Sequence, residues 1–290
     1  MLGSLHELAC TARDAGVGLG AFNVIHLEHA AAFARAAERA GQPLVMQISE
    51  NAVKYHGGDL VPIGLAMLAV AKRAQVPIAV HLDHAEDLDL IRQAVDLGFS
   101  SVMYDGSRLA DAENRETTRR VVQFCRSAGV NVEAELGEVG GKNGVHDPSA
   151  RTSPGDAAAF VEDTGVDLLA VAVGSSHAMT TRDARLDCDL ISAIRSRLQV
   201  PLVLHGSSGV SDEGMQAAIA AGMTKINVAT HLNKVFTGSV RTTLAANPRL
   251  VDSRRWIGPA RTAVEDETVR LLQLYAAGSV AAEQGPGSNS

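Results

Sequence analysis

The chain has 290 residues and a formal net charge of -7, and 46% of its residues are hydrophobic. An acidic chain of this kind lacks the basic face that general nucleic-acid binding needs, although backbone amides can still hold an anionic ligand. Its three cysteines form no CxxC pair, and no apolar run approaches the roughly 20 residues that cross a bilayer. We therefore expect a cytoplasmic protein without a secretory signal and without nucleic-acid or membrane partners.

Short apolar runs alternate with alanine-rich amphipathic stretches along the chain. Strands are predicted near 18–24, 43–48, 77–82, 99–104, 131–135, 168–173, 201–205 and 223–228. Helices are predicted near 27–40, 59–74, 86–97, 111–128, 155–164, 188–198, 211–221, 230–246 and 260–277. Because strands that alternate with helices pair in parallel, about eight such units in roughly 250 residues predict a (β/α)8 TIM barrel of the α/β class.

The series of elements runs without an interrupting linker, which indicates one domain. We predict a single barrel domain over 1–278, with extra helices at its C-terminal end, and a disordered tail over 279–290. The segment from Gly137 to Pro154 is long, polar and rich in glycine, which is typical of a mobile loop over a site.

Three histidines each follow a strand-like run. They are His84 in His81-Leu82-Asp83-His84, His177 in Gly174-Ser175-Ser176-His177, and His205 in His205-Gly206-Ser207-Ser208-Gly209. The carboxyl ends of parallel barrel strands meet at one mouth, so the three imidazoles are expected to converge there. Three neutral imidazoles and one open position make a catalytic zinc site.

Carboxylates and an amide fall at the same level of the predicted barrel. Asp105, Glu135 and Asn227 each end a strand, and Asp83 directly precedes the first histidine of the set. Asp83 is therefore a candidate general acid and base. Strand alternation places His81 and Asp83 on one face, so it does not by itself choose His84 over His81 as the ligand; we interpret His81 as a buried structural residue.

Two turns at the predicted seventh and eighth strands suit a phosphate. The run from Gly206 to Gly209 precedes a helix near Ser211, and the run from Asn227 to Thr230 leads into another helix. Free N–H groups and the positive end of a helix favour an anion, and phosphate sites after strands seven and eight recur in TIM barrels. The other interpretation of each turn is a tight glycine turn with serine caps.

With these motifs in this order, the chain resembles the class II, metal-dependent ketose-bisphosphate aldolases, including fructose- and tagatose-bisphosphate aldolases. The resemblance covers nearly the whole chain. The segments that carry it, besides the three histidine motifs, are Ala21-Phe22-Asn23-Val24, Glu133-Ala134-Glu135-Leu136-Gly137 and Ile226-Asn227-Val228-Ala229-Thr230.

The resemblance implies a role for each matching residue. His84, His177 and His205 match the zinc ligands, Asp83 the proton donor and acceptor, and Asp105 and Glu135 a second, buried metal position. The substrate and phosphate contacts would come from Asn23, Ser49, Ala178, Gly206, Ser207, Ser208, Asn227, Val228, Ala229 and Thr230. It further implies a monovalent cation, Na⁺ or K⁺, a phosphorylated sugar substrate, and a homodimer or homotetramer.

Three departures from the family pattern concern the substrate. Ala178 and Ser207 stand where the family usually has glycine near the phosphate, so added side chains bear on its placement. Acidic residues follow a Gly-Gly pair in related enzymes, and one of them shuttles a proton, but Lys142 follows the pair here. His146 or Asp147 is a candidate substitute for that acid.

The expected reaction is the cleavage of a ketose bisphosphate, first of all fructose 1,6-bisphosphate, into dihydroxyacetone phosphate and an aldehyde. Tagatose bisphosphate, a ketose monophosphate or a dehydro-deoxy-phosphogluconate are alternative substrates. Other interpretations are a metal-dependent hydrolase on the same barrel, or a sugar-phosphate-binding protein that has lost turnover. A lysine Schiff base is disfavoured beside three histidines, and Lys225, on the eighth predicted strand, shows no sign of desolvation in the sequence.

Overall fold

A computed structural model of the chain describes residues 1–136, 151–175 and 181–277. Its strands are β1 (Leu19–Asn23), β2 (Leu44–Ser49), β3 (Ile78–Ala85), β4 (Ser101–Tyr104), β5 (Asn131–Glu135), β6 (Leu168–Ala170), β7 (Leu202–Leu204) and β8 (Met223–Val228). They pair in sequence order, every pair is parallel, and β8 closes on β1. The predicted TIM barrel is confirmed.

Helices surround this barrel and connect its strands. They are α1 (Leu5–Asp14), α2 (Leu27–Ala40), α3 (Glu50–Tyr55), α4 (Val61–Arg73), α5 (Leu88–Leu97), α6 (Asp111–Ser127), α7 (Pro154–Thr164), α8 (Cys188–Arg195), α9 (Asp212–Ala220), α10 (Thr230–Ala246) and α11 (Arg254–Ala276). Among the residues described, no helix is both long and apolar enough to span a bilayer. The three cysteines are free thiols.

The sequence missed two helices. Ser4 caps the N-terminus of helix α1, because its side chain accepts a hydrogen bond from the backbone N–H of Glu7. A serine followed three residues later by a glutamate is the sequence pattern typical of such a helix start. Helix α3 has only six residues, too few to show a helical period. The last helix begins at Arg254 rather than near 260, because the helix continues through Pro259.

Strand β6 ends at Ala170 and is shorter than the predicted 168–173. The segment predicted as a mobile loop is described only at its end, where the backbone N–H of Thr152 donates to the Ala172 carbonyl at 2.9 Å. Pro154 already belongs to α7. The remainder of that segment, and the predicted tail over 279–290, lie outside the described residues.

Side chains that point into the barrel form layers. The lowest layer is apolar and is closed by α1, because Leu5 and Ala9 pack against a buried cluster that includes Ala21, Val45 and Ala79. One layer higher, the strands carry buried polar side chains, which are Gln47, His81, Glu133 and Lys225. The mouth of the barrel follows two residues further along these strands, since successive inward-facing positions on a strand are two apart.

Candidate active site at the carboxyl ends of the strands

A pocket of about 370 Å³ opens at the mouth of the barrel. Of the predicted metal and proton-transfer residues, Asp83, His84, Asp105 and His205 line it. Of the predicted substrate residues, Asn23, Ser49 and Asn227 line it from β1, β2 and β8, and the turn residues Gly206, Ser207, Ser208, Ala229 and Thr230 line its opposite side. The parallel register brings these distant segments together, as the sequence predicted.

Among the described residues, two of the predicted site residues do not line the pocket. Glu135 ends β5 beside the pocket, in a group with His84 and Asp105, but it does not line the cavity. Val228 is buried at the end of β8, so it can face a ligand only through its backbone. His177 and Ala178 lie outside the described residues, as do His146 and Asp147 of the predicted loop.

The backbone of β3 places His84, and not His81, in the wall of the pocket. The pairing of β3 with β4 shifts register between Leu82 and Ala85, and His84 has a φ of 47°, in the left-handed region that a residue other than glycine rarely adopts. This irregularity breaks the alternation of the strand, so Asp83 and His84, although adjacent, both reach the pocket. The strained conformation is held at the residue that the site needs, which is typical of functional positions.

Two imidazoles face each other in the site. His84 Nε2 lies 2.7 Å from His205 Nδ1, with the ring planes at 80°. Burial, followed by the charge on His84, lowers the pKa of His205, so its ring is neutral. A proton fills the space between the two nitrogens when His84 is charged, and a cation can take that place when both rings are neutral.

Carboxylates hold the other nitrogen of each ring. Asp105 Oδ2 lies 2.7 Å from His84 Nδ1, and Glu133 Oε1 lies 3.1 Å from His205 Nε2. Such carboxylate partners fix the orientation and tautomer of histidines that bind metals, and they raise the basicity of the free nitrogen. Both described imidazoles therefore have the environment of a metal ligand.

Two overlapping groups of residues could hold a cation, and within each group the ligand atoms lie within 4.8 Å of one another. One group is Asp83, His84 and His205, and the other is His84, Asp105 and Glu135. Burial lowers the pKa of His84, but the Asp83 charge and the Asp105 hydrogen bond outweigh this and raise it to about 10. Desolvation and the Asp105 charge raise the pKa of Glu135 to about 8. This donor set fits a divalent cation, which neutralises the crowded carboxylates while the imidazoles bind it as neutral ligands.

Asp83 accepts one amide hydrogen bond on each carboxylate oxygen. Asn23 Nδ2 donates to Oδ2 at 3.0 Å, and Asn227 Nδ2 lies 3.4 Å from Oδ1. Only 3% of Asp83 is exposed. The two amides, from β1 and β8, fix the plane of the carboxylate at the base of the pocket.

The opposite side of the pocket is made of backbone and hydroxyl groups. Ser207–Gly209 form a short 3₁₀ turn after Gly206, whose φ of 69° explains the glycine there. Ser208 Oγ accepts the backbone N–H of His231 at 3.1 Å, which joins this turn to the first turn of α10. Thr230 begins α10, so free N–H groups and the positive end of a 17-residue helix face the pocket.

The serine at position 207 fits this turn without a positive φ. Its hydroxyl donates to the Asn227 carbonyl and its side chain is buried, so it ties the β7 turn to the end of β8. Serine in place of the family's usual glycine at this position changes the packing behind the turn and leaves the turn itself intact.

A layer of polar residues below the site escaped the sequence reasoning. Glu133 and Lys225 are fully buried, and they form an ion pair at 2.9 Å. Lys225 is fully desolvated, contrary to the expectation from the sequence, because an inward-facing position on β8 removes it from water. The signal was present in the sequence, since Gln47, His81, Glu133 and Lys225 each stand two positions before a predicted site residue on the same strand.

His81 is a buried structural residue, as the sequence suggested. Its Nδ1 lies 2.8 Å from Ser101 Oγ, and burial together with the charge of Lys225 lowers its pKa well below the usual value. It is a neutral residue of the buried polar layer and does not line the pocket.

Comparison with known proteins identifies the family. A family model described as fructose-bisphosphate aldolase class-II matches residues 3–279. The chain is 37% identical to a fructose-bisphosphate aldolase of Thermus caldophilus, over 93% of this chain and 96% of the relative, and 35% identical to that of Geobacillus stearothermophilus, over 97% and 99%. The solved structure of the YdjI aldolase from Escherichia coli K12 superposes with a TM-score of 0.83 at 29% identity, covering 97% of this chain and all of the other. The chain therefore belongs to the class II fructose-bisphosphate aldolase family, a family of carbon–carbon lyases.

Proposed function

We propose that the protein catalyses the reversible, zinc-dependent aldol cleavage of a ketose bisphosphate, first of all fructose 1,6-bisphosphate, to dihydroxyacetone phosphate and glyceraldehyde 3-phosphate. The observation that carries the proposal is the convergence of Asp83, His84 and His205, with ligand atoms within 4.8 Å, in the same pocket as the turn at Gly206–Gly209. The names of the relatives from Thermus caldophilus and Geobacillus stearothermophilus support the choice of substrate.

His84 and His205, with His177 from the segment outside the described residues, would hold the zinc ion. When bound, zinc supplies a Lewis acid that stabilises the negative charge developing on the ketone oxygen as the C3–C4 bond breaks. Asp105 and Glu133 orient the two described rings through their other nitrogens. Asp105 and Glu135 with His84 would form the second, buried metal position.

Asp83 performs the proton transfer. In the cleavage direction its carboxylate accepts the proton of the C4 hydroxyl, C4 becomes the aldehyde carbon, and the electrons of the C3–C4 bond remain on C3 as part of an enediolate. Protonation of C3 by a second acid, for which His146 or Asp147 of the loop outside the described residues is the candidate, then gives dihydroxyacetone phosphate; in condensation both proton transfers run in reverse. Asn23 and Asn227 hold the carboxylate by its two oxygens, which leaves one direction free toward the pocket. Asn227 also orients the substrate hydroxyl beside Asp83.

The turn residues position the substrate. Ser208 and Thr230, with backbone N–H groups near Gly206, Ser207 and Ala229, bind the phosphate of the dihydroxyacetone half. Fixing that phosphate places the reacting carbons beside Asp83, which is the contribution of proximity to the rate. Ser49, which lines the pocket from β2 and caps α3, contacts the other half of the substrate.

A single barrel domain over 1–278 carries the whole reaction in this proposal, which the family match over 3–279 supports. We also propose, on the family resemblance, a homodimer or homotetramer and a Na⁺ or K⁺ ion near the phosphate. Sedimentation analysis tests the oligomeric state. Turnover measured with Na⁺ or K⁺, compared with turnover in a bulky organic cation, tests the monovalent ion.

The test is a substrate panel with chelator-treated and zinc-reloaded protein. Fructose 1,6-bisphosphate, its C4 epimer tagatose 1,6-bisphosphate and a ketose monophosphate are each assayed for release of triose phosphate. We expect triose phosphate from the bisphosphates only after zinc is restored. A zinc-loaded protein that releases inorganic phosphate instead would be a hydrolase, and one that binds the sugars without turnover or proton exchange would be a binding protein.

A further inference from the structure

A lysine is completely buried beneath the site. Lys225 lies on β8, two residues before Asn227, and none of its surface is exposed. It does not line the pocket. A charge in the barrel interior is costly unless it is paired and hydrogen-bonded, so the contacts of this ammonium indicate its role.

The first contact fixes an amide. Lys225 Nζ lies 2.9 Å from Asn227 Oδ1, and an ammonium group can only donate hydrogen bonds. The Asn227 oxygen must therefore face the lysine, which turns its Nδ2 toward Asp83 Oδ1 at 3.4 Å. The opposite amide orientation would set an NH₂ group against the ammonium and a carbonyl oxygen against the carboxylate.

The second contact reaches a histidine. Lys225 Nζ lies 2.9 Å from Glu133 Oε2, and the other oxygen of Glu133 lies 3.1 Å from His205 Nε2. The His205 nitrogen on the far side of the ring faces His84. One ammonium group is thus joined to both sides of the site, to the carboxylate through Asn227 and to the imidazoles through Glu133.

The other amide on Asp83 offers a natural comparison. Asn23 is held from behind by Gln47, whose Nε2 donates to Asn23 Oδ1 at 2.9 Å. A glutamine side chain can present either an oxygen or an NH₂ group, so it accepts both orientations of its partner, whereas a lysine accepts one. On the β8 side, therefore, the charge of Lys225 fixes the direction of the Asn227 amide.

We propose that Lys225 is a positioning residue for the aldol reaction: it holds Asn227 with its amide N–H groups toward Asp83, so that the carboxylate keeps the direction in which it takes the substrate proton. The proposal rests on the function proposed above. Lys225 itself touches neither the substrate nor the reacting atoms.

The test is a double-mutant cycle on kcat with zinc-loaded enzyme. We expect Lys225→Met to lower kcat by about 10- to 100-fold, since a displacement of the order of 1 Å in a positioning group costs up to about 100-fold. The effect on KM should stay within about 2-fold. In an Asn227→Ala background the loss of kcat caused by the same substitution should be at least about 5-fold smaller, since only the effect that passes through Glu133 to His205 remains.

Asn23→Ala provides the matched control background, in which the loss caused by Lys225→Met should persist. An equal loss of kcat in the wild-type, Asn227→Ala and Asn23→Ala backgrounds would show a merely structural lysine and would overturn the proposal. Lys225→Met leaves the buried Glu133 carboxylate without its partner, and this could prevent folding. In that case the cycle is run in Glu133→Gln enzyme, because the Lys225→Met variant of that enzyme contains neither charge of the ion pair.

A crystal structure of the zinc-loaded Lys225→Met enzyme gives a readout independent of turnover. We expect the Asn227 side chain to rotate away from Asp83, and an unchanged contact would contradict the proposal. Failure of the proposed function is seen separately, because wild-type enzyme would then release no triose phosphate from any ketose bisphosphate.

Discussion

The two sides of the barrel mouth are built from different parts of the chain. The imidazole–carboxylate edge, formed by Asp83, His84, Asp105 and Glu135, consists of ionisable side chains that, together with His205, make two overlapping groups with ligand atoms within 4.8 Å. The turn edge, formed by Gly206–Gly209 and Ala229–Thr230, consists of backbone N–H groups and hydroxyls. His205 joins them, since it lies between the end of β7 and the turn at Gly206 and faces His84.

The difference shows how one pocket can hold opposite charges. On the imidazole–carboxylate edge burial lowers the pKa of His84, but the Asp83 charge and the Asp105 hydrogen bond outweigh it and raise that pKa to about 10, and burial together with the Asp105 charge raises the pKa of Glu135 to about 8. The turn edge uses partial charges that do not titrate, and it accommodates a serine at position 207 with its backbone intact. We therefore expect substitutions on the first edge to remove metal or proton transfer, and substitutions on the second to weaken substrate binding.

The largest effect should follow from removing the histidine that joins the two edges. His205→Ala should lose zinc and lower kcat/KM by more than about 1,000-fold, since metal stabilisation of the transition state supplies several kcal/mol. Metal content by atomic absorption and the aldol assay measure the two effects together. Full activity in a protein that contains no metal would reject the proposed site.

Asp83→Asn separates proton transfer from metal binding. The amide keeps the shape of the side chain but cannot take a proton, so kcat should fall by about 100- to 10,000-fold. Zinc content should match that of the wild type, because the imidazoles are unchanged. Turnover near the wild-type rate would exclude Asp83 as the proton acceptor.

Asp105→Asn probes the group that orients His84 at 2.7 Å. Carboxylates that orient metal-binding histidines contribute about 10- to 100-fold to metal affinity, so zinc should bind more weakly by that factor. Titration against a chromophoric chelator measures it. Asp111→Asn, an exposed carboxylate at the start of α6, is the matched control and should leave zinc affinity unchanged.

Ser208→Ala tests the turn edge. Loss of a hydroxyl that hydrogen-bonds a charged phosphate should raise KM by about 10- to 100-fold, with smaller effects on kcat. Zinc affinity should remain that of the wild type. A variant that loses metal as well would show that the two edges are not independent.

The smallest effect concerns the ion pairs behind the turn edge. Glu267 Oε1 lies 2.6 Å from Nε2 of His231, the residue whose backbone N–H donates to Ser208 Oγ, and Arg270 donates to the same carboxylate oxygen at 2.7 Å. Burial alone would raise the pKa of Glu267, but the hydrogen bonds from His231 and Arg270 outweigh it and lower the pKa to about 2.

Because the folded pKa lies below the ordinary value of 4.5, this carboxylate stabilises the folded state fully above pH 4.5 and loses that contribution as the pH falls toward 2. The difference in melting temperature between wild type and Glu267→Gln should therefore be a few degrees at neutral pH, and it should shrink as the pH falls from 4.5 toward 2. Circular dichroism melts measure it. A difference independent of pH would show that the carboxylate charge contributes nothing.

Much of the fold could be read from the chain because alternation of strands and helices is a local pattern. All eight strands were located, and the residues at their carboxyl ends pointed to one mouth. The misses have physical reasons: α3 is too short to show a period, and the strand predicted over 168–173 stops at Ala170 although its apolar run continues. An apolar run shows burial, and the pairing partner decides where the strand ends.

The site was predicted less completely than the fold. Asp83, His84 and His205 could be predicted because they lie at strand ends, but Glu133 and Lys225 lie within β5 and β8, below that level. The same two-residue period that places Asp83 above His81 would have found this layer.

Sequence by itself determined the barrel, the family resemblance and the positions that reach the mouth, because each of these depends on residue order and short-range periodicity. Tertiary structure decided which atoms meet. The carboxylate behind each imidazole and the contact between the Asn227 amide and Asp83 join residues 21 to 144 positions apart in the chain. Those contacts form only when the strands close into a barrel, since no local pattern specifies the distance between side chains on different strands.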